Sequence, residues 1–157
     1  PVDISVEAEV DILNTLRGFS VDGVRVPVAY FKQIHSQEKH YYGMERIMGE
    51  NLFNIVQKPL KNLDLVKVAK SLNPDTVIRQ LMNFIDETYV KFGITHGDLR
   101  QSNIMIDRQG NIYVIDFGKG AVEEVGEDHE DRVRADKLTV RHEVGEFFKA
   151  IDKIIFE

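Results

Sequence analysis

The chain contains no cysteine, which excludes disulfide cross-links and thiolate metal sites and suits a cytoplasmic location. No apolar run approaches the ~18 residues that a membrane-spanning helix needs, and no basic-then-apolar leader opens the sequence. Positive charge is also short. Lysine and arginine together number 20 against 26 acids, for a net charge of −6. Broad, sequence-independent binding to nucleic acid needs a basic face that releases counterions. Direct nucleic-acid binding and membrane insertion are therefore not expected. One basic cluster, Arg132, Arg134, Lys137 and Arg141, is matched by Glu123, Glu124, Glu127, Asp128, Glu130 and Asp131 and reads as a balanced, solvated surface. Internal repeats and low-complexity tracts are missing too.

What is present fits one packed core: 157 residues, 43% of them apolar. Residues 4–16 read as a helix with Val6, Val10, Ile12, Leu13 and Leu16 as its stripe and Gly18 as its stop. Pro27 opens an alternating stretch, and 28–34 and 40–47 form an antiparallel strand pair turning at Ser36-Gln37-Glu38-Lys39. Gly49 reads as a break before a short helix over 51–56, and 59–72 has no clear pattern. Asn73-Pro74 caps and starts a helix that repeats Val77, Leu81, Phe84, Ile85 and Tyr89 and ends at Gly93. A hairpin is expected from 104–106 and 112–115 around Asp107-Arg108-Gln109-Gly110-Asn111. A last helix from about 131 onward buries Leu138, Val140, Val144, Phe147, Phe148 and Ile151.

Two motifs carry the chemistry. His96-Gly97-Asp98-Leu99-Arg100-Gln101-Ser102-Asn103 places an amide five residues after an acid, and Asp116-Phe117-Gly118 places a second acid thirteen beyond the amide. The spacing resembles the catalytic half of the protein-kinase fold, His-x-Asp with four residues before Asn, then Asp-Phe-Gly. Either motif alone is commonplace, but both together at this offset rarely arise by chance. The resemblance implies that Asp98 orients an acceptor hydroxyl and takes its proton. It also implies that Arg100 offsets negative charge, and that Asn103 and Asp116 hold magnesium on the phosphates of ATP. Met44, Glu45 and Ile47 fall where a hinge meets adenine, with Met44 and Ile106 as apolar walls. His96 reads as a residue that holds the loop rather than a base, and Asp136 as a carboxylate that ties the loop down from beneath. Glu9 is the candidate for the helix acid that pairs with a strand lysine.

The chain is similar to the protein-kinase-like superfamily in its compact, atypical branch. The small kinase of the KEOPS complex is nearest, and RIO kinases and aminoglycoside-type phosphotransferases come next. Three features carry this: His-Gly-Asp in place of His-Arg-Asp, a short segment after Asp116-Phe117-Gly118-Lys119-Gly120 with no Ala-Pro-Glu, and Glu130-Asp131-Arg132-Val133-Arg134-Ala135-Asp136 leading into the last helix. The implied fold is α+β, with 1–47 as the remnant of a small lobe and 48–157 as a mostly helical large lobe. No glycine-rich loop occurs and no lysine precedes Lys32; the first strands of a small lobe have no counterpart. The implied activity is magnesium-dependent transfer of the ATP γ-phosphate to protein serine or threonine, or ATP hydrolysis, with a protein substrate or partner. The alternatives are a truncated, kinase-like regulator that binds a partner and a small-molecule kinase of the aminoglycoside type.

Overall fold

The computed structural model describes residues 4–29, 34–36, 39–41, 43–122 and 127–156. Helix α1, Val6–Thr15, starts at Ser5, whose hydroxyl accepts the Ala8 N–H at 3.1 Å. Its residues Val10, Ile12 and Leu13, with Leu16 beyond its end, turn into the core. Strands β1 (Ser20–Val21) and β2 (Val24–Arg25) follow as an antiparallel pair. The pair expected over 28–34 and 40–47 forms in its described parts. β3 (Ile34–Ser36) pairs antiparallel with β4 (Lys39–Tyr41), and Ala29 bridges Met44. Lys32 and the turn residues Gln37 and Glu38 lie outside the described residues.

Gly49 does not break the chain. It opens β5 (Gly49–Asn51), which pairs antiparallel with β7 (Ile104–Asp107), and a Cβ there would overlap the carbonyl oxygen of Ile106. Glycine is needed for the close approach of a neighbouring strand. Asn51 then caps α2 (Leu52–Gln57), its side-chain oxygen accepting the Asn54 N–H at 2.8 Å. The unassigned stretch 59–72 becomes a 3-10 turn, Pro59–Lys61, and helix α3 (Leu63–Ser71), which buries Leu65, Val66 and Ala69. The long helix α4 (Pro74–Phe92) has the expected ends: Asn73 accepts the Thr76 N–H at 3.0 Å, and Gly93 closes it in the left-handed region.

Beyond α4 come β6 (Ile94–Thr95), the loop with the first motif, a 3-10 turn (Gln101–Asn103), β7 and β8 (Ile112–Val114). β8 lies antiparallel to β7 and parallel to β2, giving a sheet ordered β1-β2-β8-β7-β5. β9 (Ala121–Val122) returns to pair with β6, and α5 (Glu127–Asp152) packs along α4. Val133, Val140, Val144, Phe147, Phe148 and Ile151 face the core from α5, but Leu138 is 66% exposed. At 3.6 residues per turn, two positions from Val140 is more than half a turn round the helix, so this leucine points to solvent. One apolar cluster runs from Ile12 and Val24 through Leu81 and Phe117 to Phe147 and Ile151. The fold is α+β. Among the described residues no helix is long and apolar enough to cross a membrane.

Candidate active site

The hairpin brings the two motifs together. Ile104 pairs with Val114 across β7 and β8, so Asn103, just before β7, and Asp116, two residues after Val114, emerge at the same end. The Ile115 N–H donates to the Asn103 carbonyl at 3.0 Å and fixes that juxtaposition.

The loop between β6 and Asn103 is held from below by α5. Asp136, buried at 4% exposure, accepts the His96 N–H at 2.9 Å and the Gly97 N–H at 3.0 Å. Burial raises its carboxyl pKa above the ordinary 3.8, against the pull of those hydrogen bonds and of His96. His96 is itself buried and lies 4.6 Å from the Phe117 ring. Its Nδ1 accepts the Asp98 N–H at 3.1 Å, which leaves Nε2 to donate to the Ile115 carbonyl at 2.7 Å. Burial lowers its pKa from 6.5, so the neutral ring with the proton on Nε2 is the form these contacts select. His96 thus braces the loop against the strand end, and no acceptor hydroxyl could reach either ring nitrogen without displacing a bond.

Asp98, 15% exposed in its side chain, is gripped on several sides. Arg100 reaches it with Nε at 2.9 Å from Oδ1 and with Nη2 at 3.2 Å from Oδ2. The Asn103 amide nitrogen donates to its carbonyl at 2.8 Å and to Oδ2 at 3.1 Å. Lys119 places Nζ 3.9 Å from Oδ2. Among the described residues the partner of Oδ1 is Arg100 alone, which leaves a lone pair for a hydroxyl donor. Lys119 falls outside both motifs. The available signal was a cation directly after Asp116-Phe117-Gly118, but its contact with Asp98 is set by tertiary packing. A Cβ on Gly97 (φ +84°) would lie 2.5 Å from the Lys119 carbonyl oxygen, so residue 97 must be small for this segment to approach.

Asp116 is exposed and sits at φ 58°, a left-handed conformation uncommon for a non-glycine residue but among those aspartate tolerates. Its Oδ1 accepts the Gly118 N–H at 3.1 Å, and Phe117 plugs into the core at 1% exposure. The chain leading into α1 docks on this turn, the Ile4 N–H donating to the Gly118 carbonyl at 2.7 Å. Glu9 Oε2 stands 3.7 Å from where a Cβ on Gly118 would be, which sets this helix acid beside the second motif.

For a hard cation the donor set is suitable. Asn103 is buried at 5% exposure, and its hydrogen bonds use the amide nitrogen as donor; among the described residues its side-chain oxygen has no partner. An orphaned oxygen beside an exposed carboxylate at the same strand ends matches what magnesium takes from protein, one or two oxygens with the rest from phosphate and water.

The adenine side is less complete. The Glu45 N–H donates to the Val28 carbonyl at 2.7 Å, and Glu45 Oε1 accepts the Val28 N–H at 3.1 Å. That N–H is committed to the Val28 carbonyl and cannot meet a base. Met44 is 41% exposed and Ile47 half-buried, both open to contact. Ile106, at 2% exposure, is part of the core, so its side chain presents no wall to a bound ring. The pleat places the half-buried Met105 on the other face of β7.

Residues 3–139 match the family model for the protein kinase domain. The chain belongs to the protein kinase domain family. It is 29% identical over 137 residues to CBL-interacting serine/threonine-protein kinase 12 of Arabidopsis thaliana, covering 85% of this chain and 23% of that protein. It is 29% identical over 105 residues to the sperm motility kinase Tcr mutant form of Mus musculus, covering 65% of this chain and 19% of that one. It therefore spans about a fifth to a quarter of the length of these curated relatives. The crystal structure of the yeast RNA Pol II CTD kinase CTDK-1 complex superposes at a TM-score of 0.48 with 20% identity, covering 77% of this chain and 36% of that one.

Proposed function

We propose that this kinase-family chain carries the catalytic half of an ATP-dependent phosphotransferase acting on protein serine or threonine. The observation that supports it most is the grouping of Asp98, Arg100, Asn103 and Asp116 at one end of the β7–β8 hairpin. Asp98 aligns the acceptor hydroxyl and takes its proton through the spare lone pair on Oδ1. Arg100 steadies that carboxylate and offers positive charge at the transfer point. The Asn103 side-chain oxygen and the Asp116 carboxylate hold magnesium, which when bound offsets the charge of the phosphates. Met44 and Ile47 receive the base, joined by Met105 in place of Ile106.

The compact, atypical branch is the subfamily we favour, because little chain separates Gly118 from α5 at Glu127 and part of it is β9, paired back on β6. Residues 1–47 are read as the small-lobe portion and 48–157 as the large lobe. The chemistry, fuelled by ATP in a chain without cysteine, suits the cytoplasm. The test is transfer of labelled γ-phosphate from ATP to protein acceptors by the full-length protein, with and without Asp98→Ala. The reading predicts transfer that falls at least about a hundredfold in the variant. Transfer unchanged by Asp98→Ala would mean the wrong residues are assigned.

A further inference from the structure

We propose that Lys119 binds the terminal phosphoryl group of a nucleoside triphosphate in this site, a role that rests on the phosphotransferase reading above. Its geometry with Asp98 is the first ground. Arg100 and Asn103 already contact the Asp98 carboxylate at 2.9 to 3.2 Å. Lys119 stands farther off, at 3.9 Å, beyond the 2.7–2.9 Å of a charge-assisted hydrogen bond. Asp98 is therefore satisfied without it, and a second cation there is more than the fold requires.

Its backbone is the second ground. The Lys119 carbonyl lies against Gly97, the residue before Asp98, so the segment after Gly118 is registered on the catalytic loop while the side chain stays 31% exposed. A phosphoryl group passing to a hydroxyl held by Asp98 must come within about 3–3.5 Å of that hydroxyl oxygen. The Lys119 ammonium, less than 4 Å from the carboxylate that holds it, can reach this path with a small side-chain rotation. Charge points the same way: Asp98 and Asp116 are both acids at one end of the β7–β8 hairpin, and a lysine is a compact point charge with three donors well suited to a phosphate oxygen.

The test compares binding of ATP and ADP, each with magnesium, to wild type, Lys119→Gln and Lys119→Arg by calorimetry, with melting curves for all three. The inference expects wild type to prefer ATP. Lys119→Gln should lose about tenfold of that preference, the loss of one charge-assisted contact, while its ADP affinity and melting temperature stay unchanged. Lys119→Arg should keep most of it. Full ATP preference in Lys119→Gln overturns the role of Lys119 and leaves the phosphotransferase reading standing. Failure of wild type to bind either nucleotide overturns both. Should Lys119→Gln misfold, Lys119→Met keeps the aliphatic stem and the same comparison decides.

Discussion

The loop around Asp98 and the edge around Met44 and Glu45 are built differently. In the loop, two buried polar side chains, His96 and Asp136, satisfy three successive backbone N–H groups, and Phe117 packs on the His96 ring. At the hinge edge, Glu45 and Val28 bond each other while Met44 is 41% and Met48 is 70% exposed. The loop is positioned by long-range contacts from α5 and the hairpin, the hinge edge mainly by the Val28–Ala29 segment beside it. Groups that must be placed to a fraction of an ångström sit where the fold over-determines them. Apolar contacts to a flat base tolerate looser support.

Removing the support from below should have the largest effect. Asp136→Ala strips the acceptor from two loop N–H groups, one of them in buried His96, and should cost about 3 kcal/mol or more in urea unfolding. A loss under 1 kcal/mol would show the loop does not depend on α5. Gly97→Ala comes next. The added methyl meets the Lys119 carbonyl and the backbone is left-handed, so a loss of about 1–3 kcal/mol is expected by the same measurement.

A smaller effect is expected from pH. The folded pKa of His96 is depressed, so its contribution is fully present above the unfolded value of 6.5 and is lost as pH falls from there toward the folded value. Asp136 acts oppositely: its folded pKa is raised above 3.8, so taking up a proton stabilises the folded form as the medium becomes more acidic. Urea midpoints should therefore fall between about pH 7.5 and 5.5 in wild type, and the slope should flatten in His96→Gln. An equal slope in both proteins would remove His96 as its source. Least of all, Leu138→Gln should change stability by less than about 0.5 kcal/mol, since the side chain is exposed, and its melting curve should overlay wild type.

What could be read from the sequence was what local rules govern. Asn73-Pro74 and Gly93 marked both ends of α4, because a cap and a left-handed stop are one-residue signals. The spacing of Asp98, Asn103 and Asp116 placed them across a hairpin, because a short turn forces its flanks together. The misreadings have long-range causes. Gly49 looked like a break because the strand it must approach, β7, lies more than fifty residues on. Helix α3 also has an asparagine at its start, Asn62, but no proline follows it and its side chain bonds back to the Lys58 carbonyl instead of capping the helix. Leu138 entered the buried stripe of α5 through its residue type rather than its phase. Ile106 and Met105 differ only in which face of β7 they take, and that depends on what packs beneath. Lys119 escaped notice because a charge's partner is fixed only once β9 folds back on β6.

The central claim is that Asn103 and Asp116 form one magnesium-dependent nucleotide site beside Asp98. It is tested most directly by ATP-binding calorimetry of wild type and Asp116→Asn, each with magnesium and with chelator. The account predicts that magnesium tightens ATP binding to wild type at least tenfold, through the added carboxylate–metal contact, and that Asp116→Asn abolishes the difference without lowering the melting temperature. ATP binding that is the same with and without magnesium in wild type, or a magnesium effect that survives in Asp116→Asn, would contradict it.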